Sequence, residues 1–523
     1  MRGWVKVVVA VVALTLAATG CSGDKSEDGG TAAPDGILRI GLERPQSLDP
    51  AHARFPAELL VVEQLFDGLV TYDPETLQVR PALATRWEAT PDQKSWTFFL
   101  RPDAKFSNGR TITATDVQYT LDRIGRRDTN SPSAAQLETI AGFKALNVDG
   151  KTQGFEGITV PSPGAIKIEL ATPLSSFAAI LGHPAFGIVP REAVEAENPS
   201  FATQPIGSGP FMIRSRSADV LRLMPAPGAR MALTGLEIHM GRDSGAPYAA
   251  FLRGRLDWTA IPAEQVEQVV RDRGRESFRP YPAELFYGFN LRNRKFQDAR
   301  FREAILRAID REAIVRGVYG GRVRGTNGVV AQGIPGYQPD PCSEKCRYDP
   351  GRARVLLEEV FGSRPVPEIF IDYDEDPTQE AVAQAMHANL RAVGIPATLR
   401  PHQYTEYLRF ATSGQQELFR LAWIGAYPSP DAFLAPLFYT GHPDNVTGFS
   451  SEDFDALIRE ARESGDESKR LAAYQQAEKA LMSQVPVVPI AQYETHTLVS
   501  SRVRDLTMSA FGTFDAARVR LIG

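Results

Sequence analysis

An α/β chain of more than one lobe is what this sequence predicts, on three observations. Its 523 residues exceed one ordinary core, at roughly 100–200 residues per domain. A hydrophobic content of 43%, with 27 Phe, 15 Tyr and 5 Trp, is enough to fill a large interior and excludes a disordered chain. Strand and helix signals then alternate from residue 36 onward without a fixed period, which argues against a repeat solenoid. The formal net charge of -5 and the lack of any basic run exclude a dedicated nucleic-acid binder.

The elements follow in order. Residues 37–40 (ILRI) read as a strand, and 95–101 place Trp96, Phe98 and Leu100 on one face of another. Thr113 with Asp116 three residues on opens a helix carrying Val117, Tyr119, Leu121 and Ile124. Residues 166–170 alternate as a half-buried strand. Asp298 caps a helix with Phe301, Ile305, Ala308 and Ile309 on one side. Asp349 and Pro350 form an N-cap and N1 pair, and Gly362 closes that helix. Further helices are expected at 378–393, 451–462 and 467–483. The run VPVVPIA (485–491) reads as a short strand near a sheet edge, because of its prolines.

The N-terminus is an address. Arg2 and Lys6 precede an apolar run, 7–18, too short to span about 30 Å of hydrocarbon as a helix. Cys21 directly follows Ala18, Thr19 and Gly20. This resembles the bacterial lipoprotein processing box, departing from it at Ala18, where leucine is usual. A lipidated Cys21 is the expectation, with plain secretion as the alternative. Residues 22–35 (SGDKSEDGGTAAPD) have almost nothing to bury and read as a tether. Loss of residues 1–20 removes two positive charges, leaving no polybasic attraction to anionic lipid. The anchor falls to Cys21. In an exported chain the other two cysteines, Cys342 and Cys346, are expected as a disulfide, a metal site being the weaker alternative for want of neighbouring ligands.

Catalytic signatures are missing. Neither a phosphate-binding G-x-x-x-x-G-K-[ST], nor H-E-x-x-H, nor G-x-S-x-G occurs, and the seven histidines are scattered. Nothing calls for a cofactor or metal, and no enzyme is expected, although distant residues can converge in a fold.

A resemblance extends over nearly the whole chain. The runs LFDGLVTYDP (65–74), RPALATRWE (80–88), FFLR (98–101), FSNG (106–109) and TATDV (113–117) are followed by PIGSGPF (205–211) and GRLD (254–257). Then come FN (289–290), FQDAR (296–300), AIDR (308–311), YDP (348–350), WIGAYPSPDAFL (423–434) and GFS (448–450). In this order they resemble family 5 extracellular solute-binding proteins, the oligopeptide, dipeptide and nickel-binding lipoproteins of ATP-binding-cassette importers. One by one, Gly109, Gly207, Gly209, Trp87, Trp96, Phe98, Asp67, Asp73 and Asp116 read as backbone, core and cap residues that identify the fold. The resemblance implies a two-lobed periplasmic-binding-protein-like fold (type II, cluster C) with an inserted third subdomain. Its expected pieces are a signal peptide at 1–20, an anchor and tether at 21–35, and a first lobe from 36–52, 188–284 and 486–523. The inserted subdomain is expected at 53–187 and the second lobe at 285–485.

The resemblance also implies where ligand is held. In peptide-binding relatives the segment matching Trp423, Gly425, Ala426, Tyr427, Ser429 and Asp431 runs close to W-x-A-D-Y-x-D-P, and its first aspartate holds a peptide's α-ammonium. Here Ala426 takes that place. A buried ammonium without a charge partner is costly, so free peptides become a weaker expectation. Asp431 substitutes only if the loop shifts; its other reading is a cap for the following helix. A second wall follows SLDP (47–50), where Arg54 is placed to receive a carboxylate or to stand solvated. Phe55, Trp423 and Tyr427 are stacking surfaces or core. Pro56 lacks an N–H for a ligand strand. The implied function is a monomeric, lipid-anchored receptor on the extracytoplasmic face, closing two lobes on a peptide or modified peptide for a membrane permease and its ATPase. A non-peptide solute (metal chelate, haem or glycoside), a non-transport sensor or envelope factor, and an exported hydrolase are the competing readings.

Overall fold

The computed structural model describes residues 35–196 and 201–522; the expected signal peptide, Cys21 and most of the expected tether lie outside them. Three sheets of four or more strands organise the described residues. The first has six strands in the order Thr497–Val499, Trp258–Ala260, Ile37–Glu43, Gly235–Gly241, Val220–Pro225 and Phe211–Arg216. Ile37–Glu43 is central and parallel to both neighbours, which hides Leu38, Ile40 and Leu42. Gly41 lets the helix Gly245–Leu252 pack against this strand, since a Cβ there would stand 2.6 Å from Pro247 and Leu256.

The second sheet runs Val323–Gly325, Val487–Thr495, Arg279–Phe289, Leu418–Ile424, Ile369–Asp374 and Ala397–His402. The third is a four-stranded antiparallel sheet, Ala84–Ala89, Ser95–Leu100, Ala165–Glu169 and Ile158–Ser162, within the inserted region. Its core gathers Trp96, Phe98, Ile166 and Ile168 with Val117, Leu121 and Ile124 of the helix Ala114–Gly125. That helix starts as its sequence predicts: Asp116 Oδ2 accepts from Thr113 N at 2.8 Å. The helices Ala299–Ala308 and Pro350–Phe361 are likewise capped by Asp298 and Asp349, and Gly362 ends the second at φ 55°.

Two strands join the lobes side by side. Arg279–Phe289 leaves the first lobe and Val487–Thr495 returns to it, pairing antiparallel with a register shift between Pro280 and Glu284. Beside the crossing, the buried Glu494 carboxylate holds both Arg275, from the first lobe's side, and Arg324, from the second.

Three expectations change. Residues 53–66 belong with the first lobe's core, because Leu59, Leu60, Val61, Val62 and Leu65 of the helix Pro56–Leu65 pack with Leu38, Ile40 and Phe211. The return to the first lobe comes at Thr497–Val499, not at 486, since Val487–Thr495 hydrogen-bonds within the second sheet. That strand is also interior. Its proline is accommodated because the short neighbour Val323–Gly325 pairs only with 491–493, leaving Pro489 unopposed on that side and at a register shift on the other.

Candidate functional site

The strand Leu418–Ile424 lies antiparallel to Arg279–Phe289 and ends in a loop, 425–430, before the helix Asp431–Phe438. Trp423, Gly425, Ala426, Tyr427, Ser429 and Asp431 therefore come together on one turn of chain. Trp423 is half-buried and donates its Nε1–H to Ala432 O at 2.7 Å. Gly425 donates to Pro282 O at 2.7 Å, and its missing side chain is a packing requirement: a Cβ would stand 2.3 Å from the Phe433 ring. Ala426 is half-buried.

Asp431 is the centre of a closed polar network. It is 0% exposed, and its carboxylate accepts from Arg462 Nε at 2.8 Å and Nη2 at 2.9 Å, from Tyr427 Oη at 2.8 Å and from Tyr474 Oη at 2.9 Å. Burial alone would raise this carboxyl; the Arg462 guanidinium and the two hydroxyls outweigh it and hold it below the ordinary carboxylate range. Ser429 Oγ accepts from Asp431 N at 3.3 Å. Two expectations are corrected here. Asp431 has no lone pair left for a ligand ammonium, and Tyr427 is a core residue at 8% exposure with its hydroxyl committed. Neither Arg462 nor Tyr474 stood out in the sequence, because 31 and 43 residues separate them from Asp431 and neither lies in a motif.

The second wall is built differently. Glu58, 3% exposed, accepts from Arg54 N at 2.7 Å, Phe55 N at 3.0 Å and Gln46 N at 3.1 Å. This fixes the backbone and turns the side chains outward. Phe55 is 49% exposed, and the Arg54 guanidinium sits 5.6 Å from its ring centroid. No carboxylate pairs with Arg54 among the described residues. Nor does any described hydrogen bond or ion pair join this turn to 423–431; the two sets belong to different lobes.

A further buried group lies next to the first wall. Glu284 pairs across the sheet with Trp423, is 0% exposed, and neither of its carboxyl oxygens has a hydrogen-bond partner. Burial pushes its pKa well above the usual range, and the Glu478 charge adds to this. Glu478 accepts from Val329 N and Val330 N, both at 3.0 Å, yet burial still pushes it up to about 7. Both acids were invisible to motif reading. At Cys342 and Cys346 the sulfurs are joined, with Cα atoms 5.5 Å apart.

This architecture has known counterparts. The chain is 25% identical over 531 residues to the dipeptide-binding protein DppE of Bacillus subtilis (strain 168), covering 96% of each. It is 27% identical over 482 residues to the periplasmic murein peptide-binding protein MppA of Escherichia coli (strain K12), covering 88% of each. A structure of MppA described as the unliganded open form superposes with a TM-score of 0.84 at 25% identity, covering 94% of this chain and 98% of that one. Another MppA structure, also at 25% identity and covering 93% and 98%, reaches only 0.70. Sequence divergence is the same in both comparisons, and the chain superposes better on the structure described as open. The family model described as "Bacterial extracellular solute-binding proteins, family 5 Middle" matches residues 78–445, and the chain belongs to that family of solute-binding proteins.

Proposed function

We propose that this protein is the substrate-binding component of an ATP-binding-cassette importer, capturing peptides or modified peptides by closure of two lobes. The observation that carries this reading is a pair of adjacent strands joining two lobes, in an arrangement that superposes on an unliganded open form of MppA with a TM-score of 0.84. A ligand bridging the lobes stabilises the closed state by its differential contacts, and no covalent step is needed. Solute binding without catalysis is the activity proposed. The named peptide-binding relatives support peptide as the solute class.

Arg54 and Phe55 are proposed to contact ligand from the first lobe, and Trp423 and Ala426 from the second. Ala426 and the saturated Asp431 favour a solute lacking a free α-ammonium at that wall, such as a blocked or modified peptide or a non-peptide compound. Cys21 is the proposed lipid anchor on the extracytoplasmic face, where a Cys342–Cys346 disulfide persists. No described helix is long and apolar enough to cross a membrane. The protein is proposed to work as a monomer with permease and ATPase subunits.

Small-angle scattering during titration with an N-acetylated peptide library tests closure. The radius of gyration is expected to fall saturably. A protein that binds without compaction contradicts the hinge mechanism, and turnover of the peptides contradicts the non-enzymatic role.

A further inference from the structure

A cavity of ≈ 560 Å³ lies where the inserted subdomain meets the second lobe; neither Arg54 nor Ala426 lines it, and it meets the 423–431 wall only through residues 428–430. Its size falls within the range of small-molecule sites, about 300–1,000 Å³. The inserted side contributes Trp87 and Trp96, both supported by neighbouring rings. Their centroids lie 6.3 and 6.4 Å from Phe98, and Trp96 also meets Phe177 at 5.9 Å. The lobe side contributes Pro428, Ser429, Pro430 and Arg470. Ser175 ties the two sides together, its N donating to Arg462 O at 2.8 Å and its Oγ to Ala461 O at 2.9 Å.

Three features exceed a gap in packing. Ser176 lines the cavity at 8% exposure, and its hydroxyl has no hydrogen-bond partner; folds ordinarily satisfy such a group. Leu77 and Gln93, both lining the cavity, each hold φ at 57°, a left-handed conformation costly for residues with side chains and typically retained at functional sites. Arg470 is half-buried; its guanidinium donates only a 3.5 Å bond to Ser464 O and has no carboxylate partner among the described residues. Glu467, the acid among the lining residues, is exposed at the lip.

We propose that this cavity is a second small-molecule site, taking a ring-bearing carboxylic acid. The ring lies against Trp87 and Trp96, the carboxylate pairs with Arg470, and the Ser176 hydroxyl meets a polar edge. Glu467 at the lip disfavours a second negative charge on the solute. Ser429 connects the site to the ligand wall, since its hydroxyl accepts from Asp431 N.

Calorimetric titration of the mature protein with indole-3-acetate, and with uncharged indole as the control, tests the site. Indole-3-acetate is expected to bind saturably. Arg470→Gln is expected to weaken it about tenfold while leaving indole unchanged, the loss of one charge-assisted pair. Trp87→Leu weakens both ligands, and Ser176→Ala, which keeps the fold, weakens both less. Arg54→Ala leaves both unaffected, which separates this site from the cleft. No saturable binding of indole-3-acetate, equal affinity in the folded Arg470→Gln protein, or loss of binding in Arg54→Ala overturns the proposal.

Discussion

The two walls implied by family resemblance have opposite construction. At 423–431 nearly every polar group is already satisfied: Trp423 by Ala432 O, Gly425 by Pro282 O, Tyr427 and Asp431 by each other with Arg462 and Tyr474. At 54–55 the backbone is satisfied by Glu58, while the Arg54 guanidinium and Phe55 ring remain outward. The contrast separates residues that shape a site from residues free to meet a solute. The first wall is rigid and uncharged toward a ligand; the second carries an open cation and an aromatic face.

Breaking the first wall is expected to have the largest effect. Arg462→Met leaves the Asp431 carboxylate buried without its counter-ion and is expected to cost about 3–5 kcal/mol of unfolding free energy. Chemical denaturation of the unliganded protein measures this; a loss below about 1 kcal/mol would make Asp431 something other than a structural hub. Tyr427→Phe removes one donor to the same carboxylate and is expected to cost about 1–3 kcal/mol in the same assay.

The buried acids add a pH dependence. Glu478 titrates near 7 when folded and near 4.5 when unfolded, and Glu284 is shifted in the same direction. The folded state therefore binds more protons. For Glu478 this contribution is fully present below about pH 4.5 and is lost as pH rises through about 7, by up to about 1.4 kcal/mol per pH unit. Glu478→Gln should flatten melting temperature against pH across that window; an unchanged slope would assign the dependence to other groups. The smallest stability effect belongs to the second wall. Arg54→Ala is expected to stay within about 0.5 kcal/mol of the parent while weakening retention of an anionic solute. A large stability loss would return Arg54 to a structural role.

Much of the fold was legible because caps and periodicity are local. Thr113 with Asp116, Asp298, and Asp349 with Pro350 mark helix starts that the structure reproduces. Allocation of segments to lobes was less legible. Whether Pro56–Leu65 packs under the first or the third sheet is decided by long-range burial that its own residues do not encode. The same holds for the site. Ala426 is legible as a departure from a pattern, but the partners of Asp431 come from helices at 452–463 and 467–483, and only tertiary contact shows that its charge is already used. Glu284 looks like an ordinary strand glutamate until its neighbours are placed.

Native mass spectrometry of the protein purified from its own host tests the central claim most directly, by weighing and sequencing what stays bound. The account predicts a retained solute whose end at Ala426 carries no free α-amine. A bound pool of ordinary free-amine peptides would contradict it.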